Sequence, residues 1–473
     1  MREEEIIYTK VLLVGVDTGE EQDFEHSMEE LKSLAEAAYK QVVGVVVQRM
    51  ERVNNSLYIG AGKVAEVKEY AASCEAQEIV FDNALSPSQV RNLGRELDLV
   101  VLDRTNLILD IFSIRAKTRE AKLQVETANL QYMLPRLVGM RENLSRQGGT
   151  GGSMSNKGAG ETKLELDRRK IEHRISMLKR ELESVAQNRE TTRKKRSQSR
   201  IPQVALVGYT NAGKSTILNR LVDTYGGGEE KNVLEKDMLF ATLETNVRSI
   251  HTGDNKPFFL VDTVGFIHKL PHGLVQAFRA TLEEVKYADL IVEVVDFSDE
   301  HYRQHMEVTA ETLKELGAGN IPRLVVYNKI DKCRTENLPN EAKLFLEAKT
   351  CYEVKSCDEK EIDSETKIDS ETKINSETNP FSKTNPQLRK GNQIYIAAKM
   401  GAGMEELAGL IKEYVYADRV EAEFLIPYDS GSILSYFMEN STVSSQEYRE
   451  EGVRLRASCH KSDAEKYGRF RVS

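Results

Sequence analysis

The sequence predicts an α/β multidomain chain: an N-terminal parallel α/β domain, a helical hairpin, a second α/β domain around a phosphate loop, and a small C-terminal α+β domain. Three features lead to that class. Short β-branched runs alternate with amphipathic segments over residues 11–103. Two leucine-rich stripes flank the glycine-rich stretch QGGTGGSMSNKGAG, residues 147–160. From Gln203, QVALVGYTNAGKSTILNRLV reads as strand, loop and helix in that order.

The first domain is expected over residues 1–115. VLLVGV (11–16), VVGVVV (42–47), EIVFD (78–82) and LVVLD (99–103) are short, apolar and strand-like. Between the first two, Leu31, Leu34, Ala35 and Ala38 recur at helical spacing, and KVAEVKEYAASC can form a helix before the third. SPSQVRNLGREL (86–97) opens on Ser and Pro, a pair suited to a helix start. Strand–helix alternation of this kind makes a parallel sheet.

The hairpin is expected over residues 116–200. Leu123, Leu130, Leu134 and Leu137 fall on one helical face; Leu164, Ile171, Ile175, Leu178, Leu182 and Val185 keep heptad spacing on another. Two such stripes separated by a glycine-rich break predict antiparallel helices with residues 147–160 at the tip. The second α/β domain, 201–416, is interrupted at about residues 355–390, where EIDSETKIDSETKINSETN repeats a six-residue theme. Polar, low-complexity sequence cannot bury a core and predicts a disordered surface insertion. EAEFLIPYDSGSILSYF and GVRLRAS supply the last domain, 417–473.

At 473 residues the chain exceeds one core, and about three or four domains are expected. No apolar run approaches the roughly 20 residues that span a bilayer. The start, MREEEIIYTKVLLVGV, has acids where a secretory signal has a basic head. The reading is cytoplasmic residence, with peripheral membrane association as the membrane alternative. Five scattered cysteines without CxxC spacing read as reduced thiols. No long uninterrupted coiled coil requires a dimer, so a monomer is expected. A net charge of −9 argues against indiscriminate coating of nucleic acid, and no DNA partner is expected. Residues 161–200, however, carry 13 Lys/Arg against 7 Asp/Glu, a locally basic element suited to a polyanion.

The chemistry concentrates after Gln203. Gly208-x4-Gly213-Lys214-Ser215 has the spacing of a phosphate loop, with strand and helix on the correct sides. The backbone from Gly208 through Tyr209, Thr210, Asn211 and Ala212 to Gly213 would wrap phosphates. The helix opening at Lys214, Ser215 and Thr216 would add its positive end. Lys214 would reach the β- and γ-phosphates and Ser215 would ligate Mg²⁺. FFLVDTVGF ends a strand in Asp262-Thr263-Val264-Gly265: Asp262 can hold magnesium through water and the Gly265 N–H can sense the γ-phosphate.

RLVVYNKID ends another strand in Asn328-Lys329-Ile330-Asp331. The Asp331 carboxylate can accept from N1–H and the 2-amino group of guanine, donors that adenine lacks, which selects GTP. Ala397, Ala398 and Lys399 supply a final loop whose Ala398 N–H would meet guanine O6. In LFATLETNVR, residues Phe240, Ala241, Thr242, Leu243 and Glu244 form the expected first switch, with Thr242 giving magnesium its hydroxyl and Thr245 as the alternative. Lys214, Thr242 and Gly265 are thus the expected catalytic set, and GTP or GDP with Mg²⁺ the expected ligands. Many such enzymes carry a glutamine after DxxG to orient water; here Phe266 stands there, which predicts slow unassisted turnover near ~10⁻⁴ s⁻¹ and acceleration by a partner.

With these motifs, YIGAGKV (58–64), DRTNLILDIFSIRAKTREAKLQVETANLQYMLPRL (103–137), GAGETKLELDRR (158–169) and IPYDSG (426–431), the chain resembles the HflX-family GTPases, an Era/Obg-like branch. The resemblance covers nearly the whole length apart from the 361–379 repeat. It implies a GTP-dependent factor on the large (50S) ribosomal subunit, acting in ribosome splitting, rescue or biogenesis under stress. It also implies a hairpin whose loop approaches ribosomal RNA, which makes Arg141, Arg146 and Lys157 the expected RNA contacts. Two departures stand out: Glu244-Thr245 replaces a common Asp-Pro, and Ala397 replaces a common Ser. The alternatives are an RNA-binding clamp or hibernation factor with the GTPase as timer, or an ATP-dependent RNA-remodelling protein acting through the N-terminal domain. YIGAGKV bears on the last; Val64 follows Lys63 where a magnesium-binding Ser or Thr would be needed, so a strand–helix turn is the preferred reading.

Overall fold

Three β-sheets organise the computed structural model, which describes residues 8–19, 23–146, 156–198, 201–226, 239–240, 242–243, 245–253, 256–269, 283–333 and 389–472. The first sheet has the order β2-β1-β3-β4, from β1 (Thr9–Asp17), β2 (Lys40–Arg49), β3 (Glu78–Phe81) and β4 (Val100–Asp103). All its pairings are parallel. The apolar run Val11–Val16 puts β1 at the centre, where Leu12, Leu13 and Val14 are fully buried.

Helices α1 (Phe24–Ala37), α2 (Ala61–Ser73), α3 (Pro87–Leu97) and α4 (Arg104–Arg115) connect and follow these strands. Ser86 and Gln89 cap α3 reciprocally, with Pro87 at its first turn, as the sequence predicts. Gly60 opens α2, its N–H donating to Gln48 Oε1 at 2.9 Å, and Lys63 pairs with Glu66 at 2.8 Å. YIGAGKV therefore spans the last loop residues before α2 and the first turn of that helix.

Helices α5 (Arg119–Arg146) and α6 (Asn156–Gln198) form the antiparallel pair. Ion pairs give the direction: Arg119 meets Glu181, Glu126 meets Arg174, and Glu120 is bonded to Arg189. Exposed pairs of this kind add little energy; Leu123, Val125 and Ala128 of α5 and Ile175 and Leu178 of α6 are buried, and α5 also packs against α3 and α4. Leu130, Leu134, Ile171, Leu182 and Val185 on the expected stripes are only half-buried. The backbones of Arg141, Arg146 and Lys157 lie in these helices, whereas their side chains, like residues 147–155 at the tip, fall outside the described residues.

The second sheet has seven strands in the order β10-β11-β9-β8-β5-β7-β6. β5 (Gln203–Val207), β7 (Phe258–Asp262), β8 (Leu290–Asp296), β9 (Arg323–Asn328) and β11 (Gln393–Tyr395) run parallel; β6 (Asn246–Ile250) and β10 (Arg389–Lys390) are antiparallel edges. Helices α7 (Lys214–Tyr225), α8 (Tyr302–Glu315) and α9 (Met404–Val415) accompany it. Leu206, Ile217, Leu260, Val292, Val326 and Ile394 are among its fully buried core residues. Arg389 and Lys390, the last residues of the expected insertion, are strand: they pair with Ile394 and Gln393 across a turn that Gly391 makes at φ +63°. The rest of that insertion lies outside the described residues.

The third sheet is antiparallel, β13-β14-β12-β15, from β12 (Arg419–Ile426), β13 (Thr442–Arg449), β14 (Gly452–His460) and β15 (Arg471–Val472). Phe424 and Phe437, with ring centroids 4.4 Å apart, centre its core.

The chain divides into two units. One comprises Met1–Thr192, Lys236–Thr245 and Val264–Glu283; the other comprises Arg193–Glu235, Asn246–Thr263 and Glu284–Ser473. Two short segments of the expected 201–416 domain thus belong with the N-terminal sheet. Within that unit, Phe240 packs edge-to-face on Phe112 of α4 at 4.8 Å, and Lys269 pairs with Asp82 at 2.6 Å. Among the described residues no helix is long and apolar enough to cross a membrane.

A candidate nucleotide-binding site

The second unit builds a phosphate cradle at the carboxyl ends of its parallel strands. β5 ends at Val207, the loop turns at Gly208 and Gly213, and α7 starts at Lys214. Both glycines are obligatory for geometric reasons. Gly208 has φ +142°, and a Cβ there would lie 2.2 Å from the Val294 carbonyl oxygen. Gly213 has φ +97°, and its Cβ would meet Asn328 Nδ2 at 2.2 Å. Between them Asn211 also takes a left-handed conformation, at φ +59°. Thr210 is buried, its Oγ1 without a hydrogen-bond partner among the described residues, and Ala212 is fully buried.

Lys214 folds back over this loop. Its Nζ donates to the carbonyls of Gly208 at 3.1 Å and Tyr209 at 2.7 Å. Burial pushes its ammonium down to about 8, an effect that the nearby Asp262 opposes and Lys329 reinforces. Ser215 Oγ donates to Asp262 Oδ2 at 2.8 Å, joining the helix start to the fully buried carboxylate at the end of β7. Thr263 Oγ1 donates to the Leu206 carbonyl at 2.7 Å, fixing the β7 end to β5.

The base loop is tied to the cradle through Asn328, which is buried at the end of β9. Its Nδ2 donates to the Ala212 carbonyl at 2.9 Å and its Oδ1 accepts from the Ala398 N–H at 3.0 Å. The Ala398 N–H is therefore engaged within the protein, and the expected contact to guanine O6 requires that bond to be shared or exchanged. Lys329 sits at φ +63° with Nζ 2.7 Å from Asp296 Oδ2. Asp331 lies half-buried in the short 3-10 turn Ile330–Lys332, and Ile330 is fully buried beneath it. Ala397 is buried; the Lys399 side chain is exposed, and its carbonyl accepts from Arg220 at 2.5 Å.

Sequence reasoning missed two members of this constellation. Asp296, at the end of β8, holds Lys329 and accepts from the Ser298 N–H and hydroxyl. His305 of α8 stacks on Tyr209 at 3.8 Å between ring centroids and 10° between planes. The strand-end position of Asp296 was the available signal for the first; nothing local announces the second.

Thr216, half-buried on α7, belongs to the second unit, and the other expected residues belong to the first. Phe240, Thr242 and Leu243 are buried there, as are Val264 and Gly265; Thr245, the alternative to Thr242, is half-buried. Phe266 is buried too, so the side chain in the water-orienting position faces packing rather than solvent. Ala241 and Glu244 lie outside the described residues. The division between units falls inside the DxxG motif, between Thr263 and Val264.

The families and relatives that the chain matches agree with this chemistry. Residues 25–113 match the family described as GTP-binding GTPase N-terminal, 115–196 the GTP-binding GTPase Middle Region, and 203–329 the 50S ribosome-binding GTPase family. GTPase HflX of Lacrimispora saccharolytica is 39% identical over 95% of this chain and 93% of its own. GTPase HflX of Escherichia coli is 35% identical over 94% of this chain and 91% of its own. Among solved structures, a GTP-binding protein from Sulfolobus solfataricus in complex with GDP is 26% identical, covering 86% of this chain and 99% of that one, with a TM-score of 0.40.

Proposed function

Because the chain belongs to the HflX GTPase family, we propose that this GTPase associates with the large ribosomal subunit and acts in ribosome splitting, rescue or assembly under stress. The observation that carries the nucleotide part is the Asn328 bridge, which links a phosphate cradle to a base loop through one buried side chain. The match of residues 203–329 to a 50S ribosome-binding GTPase family supports the ribosomal part.

In this reading the loop N–H groups and the Lys214 ammonium neutralise phosphoryl charge. Asp331 reads guanine, and the Gly265 N–H responds to the terminal phosphate. Ser215 and Thr242 would hold Mg²⁺, with Asp262 acting through water. The ion would supply charge neutralisation at the β- and γ-phosphate oxygens. The donor set fits such a cation: a hydroxyl and a carboxylate are hard oxygen ligands, and Ser215 Oγ and Asp262 Oδ2 already lie 2.8 Å apart. Phe266 offers no hydrogen bond to water, so turnover rises when a partner supplies or repositions a polar group. The hairpin, with Arg141, Arg146 and Lys157 near its tip, is the RNA-facing element. Cytoplasmic residence follows from a ribosomal partner.

Sedimentation of ribosomal subunits with the protein loaded with GDP, GTP or a non-hydrolysable analogue tests the proposal. Co-sedimentation with the large subunit is expected with GTP and the analogue, and loss of it with GDP. Equal binding in all three states refutes a nucleotide-controlled ribosome factor.

A further inference from the structure

We propose that Lys269 is a positioning residue for GTP hydrolysis: its ammonium, seated in a buried anionic site of the N-terminal sheet, fixes the segment that follows Gly265. The inference deepens the GTPase reading and rests on it.

The site is built for a cation. Asp82 closes β3, and Ser27 lies on α1, the helix that follows β1. In the order β2-β1-β3-β4 the winding reverses between β1 and β3, and open parallel sheets take ligands in the crevice at such a point. Here the chain's own lysine stands there. Lys269 Nζ lies 2.6 Å from Asp82 Oδ2 and 2.9 Å from Ser27 Oγ, while Ser27 Oγ also donates to Asp82 Oδ2 at 2.8 Å.

Charge balance gives the reason. Asp82 and Glu30 are both buried, and the buried Arg104 serves both: it pairs with Asp82 Oδ1 at 2.7 Å and is bonded to Glu30. Both buried carboxylates draw on that one guanidinium, and burying carboxylates is costly without positive charge close by. Lys269 supplies the second positive charge. Burial pushes the Asp82 carboxyl up, but Arg104 and Lys269 outweigh that and hold it below the usual carboxylate range.

The backbone agrees. Lys269 has φ +56°, a left-handed conformation uncommon for a lysine. Between Gly265 and Lys269, Phe266 and Ile267 are both buried. The segment therefore runs from the phosphate-sensing glycine through apolar packing to an ionic anchor. A segment that is already held costs less to order when a triphosphate arrives. Losing the anchor should weaken what depends on the terminal phosphate and spare what does not.

The test uses the full chain with Lys269→Met, Lys269→Arg, Asp82→Asn and the Lys269→Met/Asp82→Asn double variant. Affinities for GDP and a non-hydrolysable GTP analogue are measured together with steady-state hydrolysis. Lys269→Met should lose about tenfold in analogue affinity and in kcat, with GDP affinity within about twofold of wild type. Lys269→Arg should recover most of the loss, and the double variant should be no worse than its more damaged parent. GDP affinity doubles as the fold control, so the result stands on Lys269→Met even where Asp82→Asn folds poorly. Unchanged analogue affinity, equal losses for GDP and analogue, or faster hydrolysis would each overturn the proposal. A wild-type chain that binds neither nucleotide would instead defeat the GTPase reading beneath it.

Discussion

Replacing Asn328 by alanine tests the idea that one side chain joins the two halves of the nucleotide site. Asn328 is 2% exposed, and its amide makes two bonds, to the Ala212 carbonyl and from the Ala398 N–H. Truncation strands one buried acceptor and one buried donor. At about 1–3 kcal/mol for each unsatisfied group, the nucleotide-free fold loses about 2–6 kcal/mol. Because the stranded groups flank the phosphate and base loops, part of that loss appears as affinity, and a tenfold weaker GDP complex needs only about 1.4 kcal/mol. Asn328→Asp separates the two bonds. It keeps an acceptor for Ala398 but sets a carboxylate oxygen against the Ala212 carbonyl, so its damage concentrates on the phosphate loop. Thermal unfolding without nucleotide and a fluorescent-GDP titration measure the two effects. An Asn328→Ala protein that unfolds within about a degree of wild type and binds GDP within about twofold would refute the bridge.

Other outcomes follow from single contacts. Gly208→Ala should remove guanine-nucleotide binding, because its Cβ would press on the Val294 carbonyl 2.2 Å away; calorimetric titration checks it. Asp331→Asn should weaken GTP by about two orders of magnitude and admit XTP, since an amide can donate to the oxygen that xanthine carries in place of the 2-amino group; competition binding with both nucleotides decides the matter. Phe240→Ala and Phe112→Ala should each destabilise the first unit, and their double-mutant cycle should show a coupling of about 0.5–1.5 kcal/mol from the edge-to-face pair, read by hydrogen exchange in that unit. The Asp82 carboxyl is held below its ordinary 3.8, so its contribution to stability is complete above that value and lost as pH falls through the lower folded one. The stability difference between wild type and Asp82→Asn should therefore shrink on acidification from pH 4 downward, and a constant difference across that range would contradict it.

The parts legible from sequence were those whose chemistry demands fixed residues at short spacing. Gly208, Gly213 and Lys214 announce a loop because backbone must approach phosphate, and Asp262 and Asn328 announce themselves by ending apolar strands. The four strands of the first sheet and the α3 start at Ser86-Pro87 were legible for similar local reasons. What escaped were pairings across long loops. Asn328 and Ala212 lie 116 residues apart, and Lys269 and Asp82 lie 187 apart; no local pattern encodes such contacts. The helical stripes were half legible. Ile175 and Leu178 are buried, but Leu130 and Leu134 stay partly solvated.

The paired helices α5 and α6 carry a mechanical consequence. The 28 residues of α5 make a rod about 40 Å long. Tilting its root by about 5° would sweep the far end by about 3–4 Å, enough to make or break a hydrogen bond there. A rearrangement too slight to disturb the packing around α4 is thus magnified at a remote surface, and the same leverage lets a load at that surface be felt at the root.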